Sequence, residues 1–143
     1  GGVGVAPLFY LGHRLREKGY EPEFLLGART ANAILQLDLF RTLGKVHIAT
    51  EDGSLGENGL VTTHSVLHTP EYNRFYTCGP KPMMKAVAAL ARQTGIICEV
   101  SLENTMACGF GACLCCVEET TEGNRCVCKE GPVFNINQLK WQI

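Results

Sequence analysis

The chain has 143 residues, with 13 Lys and Arg against 14 Asp and Glu, which gives a formal net charge of −1 when histidine is neutral. Nucleic acids and anionic membranes attract clustered excess Lys and Arg, so this balance argues against both as partners. A hydrophobic fraction of 45% and a charged fraction of 19% are ordinary for a globular protein. No apolar stretch approaches the roughly 20 residues of a membrane-spanning helix, and the N-terminus lacks a signal-peptide pattern. We therefore expect a folded, soluble protein of the cytoplasm.

Helical and strand-like apolar patterns alternate along the first part of the chain. In chain order, the predicted elements are a glycine-rich turn over residues 1–7 that leads into a helix, a strand over 23–26, a helix over 30–43, a strand over 46–50, a short helix over 60–67, a strand over 74–77, a helix over 82–93 and a strand over 96–100. Such alternation predicts an α/β domain with a doubly wound, mostly parallel sheet.

The composition changes after Glu103, where helical periodicity stops and cysteine, glycine and short β-prone runs dominate. We predict a domain boundary there, with an α/β domain over residues 1–103 and a small cysteine-rich β domain over 104–143. Residues 116–119 and 124–127 are expected to pair as a hairpin. About 40 residues bury too little apolar surface to fold unaided, and a metal centre is a common remedy.

Six of the eight cysteines fall between Cys108 and Cys128. An even cysteine count indicates disulfides in a short secreted chain, but that context is missing here, so metal ligation is favoured. Cys108, Cys113 and Cys116, with a distant fourth cysteine at Cys128, give the spacing C-x4-C-x2-C-x11-C. This is the ligand order of plant-type [2Fe-2S] proteins.

Two alternatives stay open from the residues alone. Four-cysteine zinc sites are common, although they usually contain two C-x2-C pairs and this spacing contains one. Cys126 shares a face with Cys128 and competes with it as the fourth ligand, whereas Cys115 points away from Cys116 if the segment is extended. For Cys115 and Cys126 we favour the role of small, partly buried thiols.

Two glycine-containing turns that precede helices indicate a nucleotide site. The first would hold a pyrophosphate through backbone N–H groups and the helix N-terminus, and its candidate residues are Gly2, Gly4, Val5 and Pro7. The second contains Cys78, Gly79 and Pro80, and Cys78 would lie beside a nicotinamide ring. Asp52 follows a predicted strand and could accept ribose hydroxyl groups, which favours NAD over NADP.

A glycine-rich turn of this type normally follows a strand, yet here it starts the sequence. We therefore expect a piece of a longer chain whose preceding strand and earlier domain are absent.

Several stretches carry a family resemblance: Gly2–Leu8, Leu26–Arg29, Asp52–Gly56, Cys78–Pro80 with Met83 and Met84, Ser101–Cys116 and Val127–Phe134. Together they resemble the C-terminal part of the electron-transfer subunits of B-type dihydroorotate dehydrogenases, within the ferredoxin reductase superfamily. The resemblance spans the whole chain, and its cysteine block is the most specific part.

The resemblance implies an FAD-binding barrel upstream, an NAD-binding domain over residues 1–103, and a [2Fe-2S] cluster on Cys108, Cys113, Cys116 and Cys128. It also implies an FMN-containing catalytic partner that oxidises dihydroorotate to orotate in pyrimidine biosynthesis, in a heterotetramer with two subunits of each kind. Electrons would pass between that partner and NAD through the cluster and FAD, and the piece alone would be inactive. Cys115 and Cys126 depart from the family pattern, which leaves room for alternative ligation.

Two alternative functions remain. The chain could belong to a flavin reductase subunit of another redox complex, such as a hydrogenase, or it could be a non-redox binding module that zinc stabilises.

Overall fold

The computed structural model describes residues 1–69 and 71–142. By its internal contacts the chain divides into two compact units, Gly1–Tyr72 and Asn73–Ile143. Each unit contains parallel strands together with helices, which confirms the predicted α/β class and the mostly parallel strand pairing. Among the described residues, none of the helices has the length and apolar character needed to cross a membrane.

Among its described residues, the first unit contains two α-helices, several 3₁₀ turns and one parallel sheet. Its elements are α1 (Val5–Glu17), β1 (Phe24–Ala28), α2 (Leu37–Leu43), β2 (Val46–Thr50) and β3 (Glu57–Asn58). The strands lie in the order β1-β2-β3, and the register of the first pair sets Phe24 opposite Val46 and Ala28 opposite Thr50. The predicted first helix and first two strands are therefore confirmed, whereas the short strand β3 was not predicted.

Aromatic packing holds the first unit together. The buried core consists of Val5, Phe24, Leu26, Phe40 and Leu43. The fully buried Phe40 ring meets Phe24 edge-to-face, with ring centroids 5.0 Å apart. Such pairs stabilise beyond the area they bury. Because Val5 is the first residue of α1, this core also fixes where that helix begins.

The prediction of one helix over residues 30–43 was wrong in its first half. A 3₁₀ turn covers Ala31–Ala33, and the α-helix begins only at Leu37, after Gln36 with a left-handed φ of 57°. Ile34 has extended backbone yet still packs against the core, so its burial does not require a helix. The short helix predicted over 60–67 is likewise two 3₁₀ turns, Val61–Thr63 and Ser65–His68.

The second unit contains a mixed sheet and a separate hairpin. Its elements are β4 (Arg74–Cys78), α3 (Lys81–Thr94), β5 (Ile97–Ser101), β6 (Val117–Thr120), β7 (Gly123–Cys126), α4 (Val127–Glu130) and β8 (Val133–Asn135). β4 pairs in parallel with β5, and β6 with β7 forms the predicted hairpin. The unpredicted strand β8 pairs antiparallel with β5, so the cysteine-rich segment shares a sheet with the residues before Glu103. The domain boundary near residue 103 stays a prediction.

A buried histidine sits in the first unit. The Nδ1 atom of His64 accepts a hydrogen bond from the Val66 N–H at 3.1 Å and lies 3.5 Å from the Glu57 carboxylate. Its ring also meets that of His47 edge-to-face, with centroids 5.6 Å apart. Burial lowers the pKa of His64 below its ordinary value of 6.5; Glu57 opposes this shift and His47 adds to it.

This histidine predicts a pH dependence of stability. The folded protein binds a proton at His64 less readily than the unfolded chain does. The contribution of neutral His64 to the free energy of unfolding is therefore complete above pH 6.5 and is lost as the pH falls below 6.5. His64→Asn keeps an acceptor for Val66 and removes the titration. Its melting temperature should therefore fall less than that of the wild type between about pH 7.5 and about pH 5.5.

The control is His13→Asn, at a histidine whose side chain is 59% exposed; its melting temperature should follow that of the wild type. Parallel pH curves for His64→Asn and the wild type would contradict the assignment.

Candidate functional site

The cluster loop, which we define as residues 104–116, connects β5 with β6. Three of its residues have left-handed backbone: Gly109 with φ 75°, Gly111 with φ 87° and Leu114 with φ 58°. Glycine adopts this conformation without steric cost, which lets the chain reverse direction within a few residues. The loop can therefore point several backbone N–H groups and thiols toward one region.

The first thiol pair consists of Cys108 and Cys113. The Cys113 N–H donates to the Cys108 Sγ at 3.4 Å. This hydrogen bond, with further N–H groups of the loop, lowers the pKa of Cys108 to about 6. A hydrogen bond from the Cys115 N–H lowers the pKa of Cys113 as well. The loop thus favours the thiolate form, which is the form that binds metal.

The second thiol pair consists of Cys116 and Cys128, which are brought together across the hairpin. The Cys128 N–H donates to the Cys116 Sγ at 3.3 Å, and the Val127 N–H donates to the Cys116 carbonyl at 3.2 Å. Cys116 is buried, whereas Cys128 is half-buried. The Cys128 thiol also hydrogen bonds to that of Cys116, which raises the pKa of Cys128, while the Gly111 N–H opposes the rise.

Two thiol pairs suit a two-iron centre, because each iron of a [2Fe-2S] cluster takes two protein ligands. A single zinc ion instead needs four sulfurs converging at about 2.3 Å on one point. The paired thiols and the N–H groups directed at their sulfurs therefore fit the cluster.

The two remaining thiols of this region bond to carbonyl groups. The Cys126 Sγ donates to the Gly111 carbonyl at 3.8 Å, and burial raises the pKa of Cys126. The exposed Cys115 donates to the Cys113 carbonyl at 3.8 Å, and its contact with the Cys113 thiol raises the pKa of Cys115. The geometry separates Cys126 from Cys128, because the Cys128 N–H donates to the Cys116 Sγ whereas the Cys126 thiol donates to a carbonyl. This supports Cys128 as the fourth ligand, and the ligand set stays a prediction.

A buried carboxylate behind the cluster loop was missed by sequence reasoning. Glu118 accepts hydrogen bonds from Lys81 Nζ at 2.9 and 3.0 Å, from Asn104 Nδ2 at 3.0 Å and from Trp141 Nε1 at 2.8 Å. Burial alone raises the pKa of Glu118, but these hydrogen bonds outweigh it and hold the pKa below its ordinary value. The available signal was strand alternation, which puts Glu118 on the same face as Cys116.

The residues predicted for the pyrophosphate lie at the start of α1. Gly2 has a left-handed φ of 56° and begins a 3₁₀ turn that runs directly into the helix. Gly4 precedes the first helical residue, and Pro7 lies in the first turn, where its missing N–H is harmless. The Val5 side chain is buried in the core, so only its backbone is available to a ligand.

Asp52 lies in the exposed loop after β2. Its Oδ1 atom accepts hydrogen bonds from the Ser54 hydroxyl at 2.6 Å and from the Ser54 N–H at 3.0 Å. Hydrogen bonding to Ser54 lowers the pKa of Asp52, so the carboxylate is ionised near neutral pH. The Ser54 hydroxyl in turn accepts from the Ala31 N–H at 2.7 Å, which ties the loops after β1 and β2 together.

The second predicted turn connects β4 with α3. Cys78 is fully buried at the end of β4, Gly79 has φ 143°, and Pro80 immediately precedes the helix. The Cys78 Sγ lies 3.6 Å from the Glu103 carboxylate. Burial raises the pKa of Cys78, and Glu103 adds to the rise. The assignment of both turns to a nucleotide stays a prediction.

Comparison with known proteins agrees with the cysteine chemistry. Residues 103–140 match the model of the iron-sulfur cluster binding domain of dihydroorotate dehydrogenase B. The predicted resemblance is confirmed. The chain is 41% identical over 143 residues to the electron transfer subunit of dihydroorotate dehydrogenase B (NAD(+)) from Shouchella clausii, covering 97% of this chain and 54% of that protein. The counterpart from Listeria monocytogenes is also 41% identical over 143 residues, covering 98% of this chain and 56% of that protein.

A solved structure supports the same fold. The NADH-dependent reduced ferredoxin-NADP oxidoreductase superimposes with a TM-score of 0.86 at 30% identity, covering 98% of this chain and 51% of that chain. The chain spans about half the length of the dihydroorotate dehydrogenase B subunits that it matches. Residues 103–140, the part that matches the iron–sulfur domain model, contain the four paired thiols.

The fourth ligand can be tested by separate substitutions. Cys128→Ser should lose most of the iron and sulfide or shift the visible and EPR spectra strongly, because serine replaces a thiolate of the second pair. Cys126→Ser should retain both the metal content and the spectra, since its thiol faces a carbonyl. Cluster loss in Cys126→Ser with an unchanged Cys128→Ser would show that the fourth ligand is Cys126.

Proposed function

We propose that this chain provides the nucleotide-binding and iron–sulfur parts of an electron-transfer subunit that works with a dihydroorotate-oxidising flavoprotein. In the proposed reaction, dihydroorotate is oxidised to orotate in pyrimidine biosynthesis, and electrons reach NAD through a [2Fe-2S] cluster and FAD. The observation that carries the proposal is the pairing of four thiols inside residues 103–140, the part that matches the dihydroorotate dehydrogenase B family model.

The number of electrons that each carrier exchanges sets the order of the cluster, the flavin and NAD. When bound, the cluster supplies one-electron transfer, NAD accepts a hydride, and a flavin between them exchanges electrons in both ways. The chain's own residues hold the carriers and tune their surroundings. The N–H groups of Cys113 and Cys128 stabilise negative charge on ligand sulfurs. Because Cys116 is buried, water is kept from that side of the bound cluster. Cys113 is exposed, so a partner can approach the cluster from the side of Cys113.

For NAD, we propose that the pyrophosphate lies at the start of α1, against the backbone of Gly2, Gly4, Val5 and Pro7. The helix dipole favours an anion there, and the first turn carries no acidic residue to repel it. The ionised Asp52 accepts ribose hydroxyl groups, which favours NAD over NADP.

The nicotinamide end is proposed to lie at Cys78, Gly79 and Pro80. Burial and the Glu103 carboxylate keep the Cys78 thiol protonated, so the buried residue beneath this turn carries no charge. Gly79 presents backbone without a side chain, which permits close approach of a planar ligand.

The proposed partner is an FMN-containing catalytic subunit, assembled as a heterotetramer with two copies of each subunit. The name electron transfer subunit, carried by the relatives, supports a separate catalytic subunit. We place the complex in the cytoplasm, where thiols stay reduced. Because the relatives are about twice as long, we also propose that residues 1–143 do not complete the reaction by themselves.

A second candidate is a flavin reductase subunit of another redox complex. The superposition on the NADH-dependent reduced ferredoxin-NADP oxidoreductase favours it, because that enzyme shares the fold over 98% of this chain without being named for dihydroorotate. The two candidates differ in the electron donor and not in the cluster.

Metal analysis tests whether the chain binds a [2Fe-2S] cluster. Protein prepared without oxygen should contain about two iron atoms and about two acid-labile sulfides per chain, with no stoichiometric zinc, because four thiolates hold one [2Fe-2S] cluster. Cys98→Ser, which changes a buried thiol of β5, is the control and should leave the iron and sulfide content unchanged. Zinc without sulfide would refute the electron-transfer proposal.

Anaerobic reduction tests the reaction. The complete subunit, copurified with its flavoprotein partner, should show the EPR signal of a reduced [2Fe-2S] cluster after addition of either NADH or dihydroorotate. Both donors are expected to act because electron transfer through the carriers is reversible. Reduction by NADH but not by dihydroorotate would reject the dihydroorotate assignment and support the second candidate.

A further inference from the structure

Glu118 is the only acidic side chain that is buried among residues 1–69 and 71–142, with 7% of its surface exposed. Burying a lone carboxylate is costly unless it is paired and hydrogen-bonded. Lys81 supplies the opposite charge through two contacts at 2.9 and 3.0 Å, and Trp141 and Asn104 supply neutral donors. All four residues belong to the second unit.

The position of this ion pair connects it to the cluster loop. Glu118 follows Cys116 by two residues, and Asn104 starts the loop. The Asn104 amide nitrogen lies 3.0 Å from the Glu118 carboxylate, 3.3 Å from the Cys116 carbonyl and 3.5 Å from the Val117 carbonyl. The Glu118 carboxylate therefore holds the Asn104 side chain, which joins the first residue of the cluster loop to Cys116, its last residue.

Charge near an iron–sulfur cluster affects its reduction potential, because reduction adds an electron to an already anionic site. A nearby negative charge opposes reduction, and a nearby positive charge favours it. In a buried setting such charges are screened less than at the surface. Lys81 and Glu118 balance each other, so removing either charge leaves the other uncompensated.

We propose, on the basis of the proposed iron–sulfur function, that Lys81 and Glu118 form a positioning pair that sets the reduction potential of the cluster. Glu118 fixes Asn104 across the ends of the cluster loop, and Lys81 balances the carboxylate behind Cys116. Lys81 is also the first residue of α3, directly after the Cys78–Pro80 turn, so the pair joins the two proposed sites of this unit.

Substitutions at the pair give shifts of opposite sign. Lys81→Met keeps the length of the side chain and leaves the carboxylate unbalanced, so the reduction potential should fall. Glu118→Gln keeps the shape and leaves the ammonium unbalanced, so the potential should rise. The double variant should return close to the wild-type value, and Lys81→Arg, which keeps the charge, should stay close to it. The measurement is an anaerobic redox titration of the cluster-loaded complete subunit, followed by EPR and visible absorbance.

The exposed pair Lys140 and Glu119, 3.1 Å apart, is a matched control. Lys140 is as exposed as Lys81, at 50% against 49%, but the Glu119 side chain is 65% exposed where Glu118 is 7% exposed. Lys140→Met and Glu119→Gln make the same formal charge changes, yet solvent screens them, so their shifts should be clearly smaller.

Three results would overturn the proposal. They are single variants that shift the potential in the same direction, a double variant displaced as far as either single variant, and control shifts as large as those at the buried pair. If Glu118→Gln does not retain the cluster, the test rests on Lys81→Met, because Lys81 is half-exposed. A wild-type reduction potential in Lys81→Met also refutes the proposal. A wild-type subunit without iron and sulfide refutes the proposed function as well, whereas a loaded cluster with unchanged potentials refutes only the role of the pair.

Discussion

The second unit depends on backbone N–H groups that point at sulfur. Four thiolates within one short segment repel each other, and they become compatible only when donors and a metal centre share the negative charge. The N–H groups of Cys113 and Cys128 reach the sulfurs of Cys108 and Cys116 because the chain reverses repeatedly. Left-handed backbone at Gly109 and Gly111 lets the chain reverse between Cys108 and Cys113, and the β6-β7 hairpin brings Cys128 to Cys116.

The cluster loop is held by elements that are distant in sequence. The hairpin β6-β7 carries Cys116 to Cys128, and β8 returns to pair with β5, from whose end the chain leads to the loop. Behind the loop, the Glu118 carboxylate accepts hydrogen bonds from Lys81, Asn104 and Trp141. The loop itself therefore stays exposed at Cys113, while its ends are held by buried polar contacts.

In the first unit, the core positions the N-terminus of α1 and the glycine-rich turn before it. The aromatic core takes up the first residue of α1, and backbone hydrogen bonds from Gly4 to the Gly1 carbonyl and from Val5 to the Gly2 carbonyl hold the glycine-rich turn itself. Asp52 is held by Ser54, which also bonds to the loop after β1. In both units, packed or hydrogen-bonded neighbours position a glycine-containing turn.

The sequence by itself determined the iron–sulfur domain, because cysteine spacing and glycine positions are local properties that survive without knowledge of the fold. It also determined the helix near residues 82–93, where buried side chains recur at helical spacing over a long segment. Only the tertiary structure decided the break of the helix at Gln36, the pairing of β8 with β5 and the burial of Glu118. Each of these depends on partners far along the chain or on packing, and apolar periodicity carries no information about which distant residue supplies a hydrogen bond or an opposite charge.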